Sequence, residues 1–171
     1  MDGKNGDVIA SGGFERVTNH EEVIKKIDSI RKKTKFDNYV GDTVEFHPNG
    51  MLTFPLLGTK ANKESKLEFD PDRVKRREIL GLVKETFSDQ TVFIGGSSSF
   101  DIVPRGVNKL SALLKYASSI KVDIDEIVYF GDDYGPGGND EDIFLSNIEF
   151  ICVDDYKLFP QKVDFILDEK K

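Results

Sequence analysis

Ile127-Val128-Tyr129-Phe130 is an unbroken apolar run that stops at Gly131-Asp132-Asp133-Tyr134-Gly135-Pro136-Gly137-Gly138-Asn139-Asp140. A strand with one wet face alternates apolar and polar residues. A strand covered on both faces does not, and parallel sheets are built from such strands. Ile148-Glu149-Phe150-Ile151-Cys152-Val153 is a second run of this kind, after a short helix expected from about Asp140. Strand, loop, helix, strand is a βαβ unit with a right-handed crossover. Its Gly/Asp loop leaves the C-terminal end of the first strand, the edge at which open α/β sheets bind ligands. Leu110, Leu113, Leu114 and Ala117 mark a helix before this unit, and Pro160 to Leu167 a closing one.

Before Pro104 the periodicity is different. Asn19 is a candidate N-cap, with Glu21 and Glu22 where they suit the helix dipole. Val23, Ile24, Ile27 and Ile30 then follow at helical spacing. Val44 and Phe46, the turn Pro48-Asn49-Gly50, and Met51 to Phe54 predict a hairpin. Lys66-Leu67-Glu68-Phe69 reads as another alternating strand. Asp70-Pro71-Asp72 reads as the start of a helix carrying Val74, Ile79, Leu80, Val83 and Phe87. Thr91 to Ile94 and Phe100 to Val103 are two more strands. The expected fold class is α/β: an α+β, cap-like domain over 14–104, with an antiparallel sheet and two helices on one face, then a partial Rossmann-like parallel core over 105–171. Residues 1–13, with Val8-Ile9-Ala10 as a strand fragment, form an N-terminal core or linker segment.

Composition narrows the partners. The chain has 171 residues and a net charge of −7, which argues against duplex nucleic acid as a ligand. It has no apolar run near the ~20 residues of a membrane helix, and its first residues do not resemble a secretory signal. Cys152 is the single cysteine, so no intrachain disulfide framework forms. It is expected to be a small buried hydrophobe. A cytoplasmic protein is the expectation.

Four glycines, a proline and three aspartates fill the ten residues 131–140. Carboxylates so close together repel unless a cation lies among them. A hard ion such as Mg²⁺ suits them, and an ordinary Asp/Gly turn is the alternative. Lys109 is expected in the first turn of a helix, where the dipole favours anions. A phosphate shared by the helix end and the lysine would account for it, and a solvated lysine is the alternative. Lysine beside a magnesium site is a means of holding a phosphoryl group. Ser97-Ser98-Ser99-Phe100-Asp101 offers small polar groups to a polyol, or is a plain Ser-rich connection. His20 and His47, the only histidines, sit in no nucleophile motif. Asp70-Pro71-Asp72 and Asp123-Ile124-Asp125 read as caps or turns rather than as a nucleophile pair.

These motifs resemble the haloacid dehalogenase-like superfamily, and within it the eukaryotic-type phosphomannomutase branch. Asn49-Gly50-Met51-Leu52 is similar to that family's cap hairpin. Ser99-Phe100-Asp101-Ile102-Val103-Pro104 with Gly106 and Lys109 is similar to its return from cap to core. Gly131-Asp132 with Pro136-Gly137-Gly138-Asn139-Asp140 is similar to its metal loop. The resemblance runs from about 41 to 167. It implies a Mg²⁺-dependent phosphatase or phosphomutase of the sugar-phosphate class. By the same resemblance, Lys109 would contact the phosphoryl group, and Asp132, Asn139 and Asp140 would hold or support Mg²⁺. Ser99, Asp101 and Lys66 would contact the sugar phosphate.

Two departures qualify that expectation. Where the family clamps phosphate with arginines, this chain has Pro48, Thr59 and Lys66, with Lys60 and Lys63 nearby, and lysine lacks the bidentate fork. The family's nucleophilic Asp-x-Asp after a first core strand has no counterpart, so the chain is expected to begin after that motif and to be inactive alone. A separate nucleophile-bearing chain or a homo-oligomer would complete it. A non-catalytic module that binds a phosphorylated ligand or a protein is the alternative. The apolar strand edge of 105–171 is expected to be covered, by a partner chain, a second copy, or the segment around Val8-Ile9-Ala10.

Overall fold

The computed structural model describes residues 19–169, in two compact units, one ending at Arg105 and the other beginning at Gly106. The segment around Val8-Ile9-Ala10 lies outside the described residues.

In the first unit, α1 (His20–Thr34) starts where Asn19 Oδ1 accepts the Glu22 N–H at 3.2 Å and stops where Lys35 turns left-handed. Its buried side is Val23, Ile27 and Ile30. β1 (Glu45–Phe46) and β2 (Leu52–Pro55) form the expected hairpin, with Gly50 at φ +87°, a backbone that glycine adopts without strain. α2 (Lys63–Phe69) corrects the sequence reading, which made 66–69 a strand. Asn62 Oδ1 caps it by accepting the Ser65 N–H at 2.8 Å, and Glu64 sits in its first turn. The Leu67/Phe69 alternation was no burial signal, since Leu67 is exposed. Among the described residues the unit therefore has three helices rather than two.

α3 (Val74–Thr86) begins beside a sealed ion pair. Asp70 accepts the N–H groups of Lys75 and Arg76, and Arg76 Nε reaches Asp70 Oδ2 at 2.8 Å. Asp70 is thus a helix-capping residue. β3 (Gln90–Gly95) and β4 (Ser99–Pro104) complete an antiparallel sheet of order β1-β2-β4-β3. Register puts Phe100 between Phe54 and Ile94, all three fully buried. That face carries the core with Val23, Ile27 and Ile30 of α1, Val83 of α3 and Phe87. Each such side chain contributes about 1.5–3 kcal/mol by burial. By strand alternation Thr53, Phe93 and Asp101, aligned in register, occupy the opposite face.

In the second unit, α4 (Lys109–Ile120) starts in a capping box between Asn108 and Ser111. A 3-10 turn at Ile124–Glu126, boxed by Asp123 and Glu126, leads into β5 (Val128–Gly131). α5 (Glu141–Phe144), β6 (Glu149–Cys152), a 3-10 turn at Tyr156–Leu158 and α6 (Phe159–Glu169) follow. β5 and β6 are parallel, with Gly131 opposite Cys152. The fold is thus mixed α/β, an antiparallel sheet in one unit and a parallel pair in the other.

One expectation fails here. β5 and β6 are not sealed on both faces: Val128, Tyr129, Phe130, Phe150 and Ile151 are half-buried. With one strand partner each among the described residues, their rings pack on one another instead. Tyr129 lies 5.6 Å from Phe150, and Phe130 lies 5.1 Å from Phe159. Cys152 is likewise half-buried rather than sealed.

Candidate functional site

The loop after β5 is shaped by close backbone approach. A Cβ on Gly131 would meet the Phe150 ring at 2.5 Å and Asp140 Oδ2 at 2.8 Å, and one on Gly138 would overlap the Asp133 carbonyl oxygen. Gly138 N–H donates to Gly135 O at 2.8 Å and Asp140 N–H to Asp133 O at 3.0 Å, so the loop folds back on itself. This return places the Asp140 carboxylate beneath the end of β5.

Asp140 is 1% exposed and both its oxygens are engaged. Oδ1 receives Lys109 Nζ at 2.6 Å and the Tyr129 hydroxyl at 2.8 Å; Oδ2 receives the Asp133 N–H at 3.1 Å. Burial pushes its pKa up, but the bonds from Lys109, Tyr129 and the Asp133 amide outweigh that and hold it below the usual value. Tyr129 responds in the opposite sense. Burial first, then its bond to this carboxylate, drives the phenol well above its ordinary range. Lys109 is the first residue of α4, and Asn108 Nδ2 donates to Asp142 Oδ2 at 2.7 Å, tying that helix end to α5.

Asp132 is exposed and lines a cleft of about 570 Å³ with Phe130, Gly131, Val153, Asp154, Tyr156 and Phe159. The Tyr134 hydroxyl donates to Asp154 Oδ1 at 2.8 Å, a bond that, with Cys152 nearby, lifts the phenol to about 12. The side-chain oxygen of Asn139 is buried and accepts no hydrogen bond among the described residues. An acceptor left so is costly unless a cation or donor meets it. No cluster of three acidic, histidine or cysteine side chains forms a metal cage among the described residues. Mg²⁺ does not require one, because it binds through one or two carboxylates and keeps water or phosphate oxygens. The exposed Asp132 carboxylate and the Asn139 oxygen fit such an ion. Asp140 fits as the partner of Lys109, its oxygens being already committed.

Lys109, Asp132, Asn139 and Asp140 therefore gather in the second unit. The other three expected contacts lie in the first. Ser99 and Asp101 are on β4, where Ser99 Oγ donates to Gly95 O at 2.9 Å. Asp101 is half-buried, and burial raises its pKa despite a bond from Thr53 and the nearby His47. Lys66 is on α2, its Nζ 3.4 Å from Thr59 O.

Two members of the second-unit site escape a reading by motif. Tyr129 sits in the apolar run, and its polar tip is the only sign that it does more than pack. Asn108 is visible in principle, as a cap three residues before a serine that returns the bond.

The model of the eukaryotic phosphomannomutase family matches residues 9–153. The phosphomannomutase of Spinacia oleracea is 36% identical over 161 residues, covering 81% of this chain and 62% of its own. That of Schizosaccharomyces pombe is 37% identical over 110 residues, covering 61% and 41%. Among solved structures, an N-terminally truncated, IMP-bound IMP-nucleotidase of Plasmodium falciparum aligns at 20% identity and a TM-score of 0.43, covering 81% of this chain and 35% of that one. The chain spans about two fifths to three fifths of the length of these two phosphomannomutases. With the family model matching residues 9–153, the chain belongs to the eukaryotic phosphomannomutase family.

Proposed function

We propose that the second unit is the metal- and phosphoryl-binding half of a Mg²⁺-dependent phosphatase or phosphomutase acting on sugar phosphates. The observation that carries this reading is the Lys109–Asp140 pair, set beside the exposed Asp132 at the C-terminal end of β5. Asp140 orients the lysine. The lysine side chain is 43% exposed, so its ammonium can donate to a phosphoryl oxygen. Asp132 and Asn139 would hold Mg²⁺, which would supply Lewis-acid chemistry to the phosphoryl group. In the first unit, taken by itself, Ser99 and Asp101 offer polar groups to sugar hydroxyls and Lys66 a positive charge to an anion.

Turnover needs an aspartate nucleophile from outside these 171 residues, on a separate chain or a longer one, or within an assembly of copies. The three internal Asp-x-Asp pairs are otherwise engaged: Asp70 holds α3, Asp123 boxes a 3-10 turn, and in Asp140-Glu141-Asp142 the two carboxylates accept from Lys109 and Asn108. A cytoplasmic setting goes with this reading. So does the single thiol, which forms no disulfide. No helix among the described residues is long and apolar enough to cross a membrane.

The test is a phosphatase assay with Mg²⁺ and an aryl phosphate. The 171-residue chain is expected to show no turnover and to gain it when the nucleophile-bearing part is supplied. Turnover by the chain alone, lost in Lys109→Ala, refutes the need for an outside nucleophile. A second reading, a non-catalytic phospholigand-binding module, is favoured by Pro48, Thr59 and Lys66 standing where the family has clamping arginines. It predicts sugar-phosphate binding with no gain of turnover under any complementation.

A further inference from the structure

On the sheet face opposite the first unit's core, His47, Thr53 and Asp101 form a continuous hydrogen-bonded chain. His47 follows β1, Thr53 lies in β2 and Asp101 in β4, with Thr53 and Asp101 directly opposed. Thr53 Oγ1 donates to Asp101 Oδ1 at 2.9 Å, and His47 Nε2 lies 3.0 Å from the same Oγ1.

The polarity of this chain follows from counting hydrogens. An ionised carboxylate only accepts, and a threonine hydroxyl has one hydrogen to give. That hydrogen goes to Asp101. Thr53 Oγ1 must then accept from His47, so Nε2 carries the proton and the neutral tautomer is fixed.

The carboxylate at the far end is confined. A Cβ on Gly95 would overlap the Asp101 carboxylate, which fills the space a side chain at 95 would take. Phe93 of β3, opposite Asp101 in register, brings no charge. Glu45 of β1 stands opposite Thr53, and His20 of α1 stacks on Phe46 at 3.8 Å, beside His47 in sequence. Burial drives the Asp101 pKa up, while the Thr53 bond and the charge of His47 oppose it. Without those two groups burial acts alone, and a protonated Asp101 loses an acceptor for ligand hydroxyls.

We infer that His47 and Thr53 are positioning residues for Asp101, aiming its carboxylate so that it accepts hydrogen bonds from the hydroxyls of a sugar phosphate. The relay is read from this chain's own contacts; its ligand rests on the function proposed above.

The test is a carboxyl titration of Asp101 by carbon-detected NMR on the full chain, paired with calorimetry using mannose 6-phosphate as the probe. Thr53→Val, nearly isosteric and suited to a strand, is expected to raise the Asp101 midpoint. Thr53→Ser is expected to restore it. His47→Gln, which keeps a donor but no charge, is expected to raise it less. At a pH between the two midpoints, Thr53→Val is expected to weaken probe binding about tenfold, the scale of one hydrogen bond to a charged group. A midpoint unmoved in Thr53→Val, with the spectrum otherwise native, overturns the relay. If the midpoints shift as expected but the unaltered chain binds no mannose 6-phosphate, the relay stands and the sugar-phosphate reading falls. Amide spectra of each variant show whether the fold is kept, and Thr53→Ser tests the relay should Thr53→Val not fold.

Discussion

Lys109 Nζ stands 2.6 Å from Asp140 Oδ1, with the carboxylate 1% exposed and the lysine side chain 43% exposed. The asymmetry assigns the roles. The sealed partner is the anchor, and the reachable partner is the group that can meet a ligand. Tyr129 adds a second donor to the same oxygen, so the carboxylate is held by more than the lysine.

Lys109→Met should therefore weaken binding of a sugar-phosphate probe by at least about tenfold, since a hydrogen bond to a charged group is worth about 1.5–3 kcal/mol. Calorimetry on the variant checks this. Tyr129→Phe should cost much less affinity, because it leaves the ion pair in place.

Two glycines should respond oppositely to alanine. At Gly131 a methyl group meets the Phe150 ring and the Asp140 carboxylate, so Gly131→Ala should destabilise the second unit by about 1–3 kcal/mol. At Gly81, within α3, a methyl group meets nothing within 4 Å. Gly81→Ala should stabilise the first unit by about 0.5–1 kcal/mol, the helix-interior cost of glycine. Denaturant unfolding of each variant gives the sign directly.

Acid should remove a defined part of the first unit's stability. Burial raises the Asp70 pKa, but the bonds from the Arg76 side chain and the Lys75 and Arg76 amides outweigh it, so the folded value lies below the unfolded one. The unfolded state then binds the proton more readily. The contribution is fully present above the unfolded carboxylate value of about 3.9, and is lost as pH falls through the folded value. Unfolding midpoints followed downward from pH 5 should show that loss, and Asp70→Asn should flatten it. Asp70→Ala, which strands a buried guanidinium, should cost about 3–5 kcal/mol at neutral pH.

How far the sequence discloses this molecule differs by element. The hairpin at Asn49-Gly50 and the strands at 91–94 and 100–103 are legible because alternation and turn chemistry agree there. Residues 66–69 mislead because four residues of alternation weigh less than the Asn62 cap, which stands outside them. The run 127–130 signals a parallel strand correctly, yet not its burial, since burial depends on neighbours that a local pattern does not contain. At the site, Lys109 and the acidic loop are legible as motifs. Their pairing across 31 residues is visible only in three dimensions, as is the chain from His47 to Asp101. Arg31 is the plainest omission. It occupies a polar position of α1 yet is 2% exposed, its guanidinium bonded to Thr43 and to the carbonyls of Phe36, Pro55 and Leu56.

Mg²⁺ titrated into the 171-residue chain by calorimetry, with Asp132→Ala run alongside, tests the acidic loop as a metal site most directly. The predicted result is saturable binding in the unaltered chain that Asp132→Ala abolishes, with amide shifts confined to residues 131–140 and the start of α4. Unchanged Mg²⁺ affinity in Asp132→Ala would contradict it.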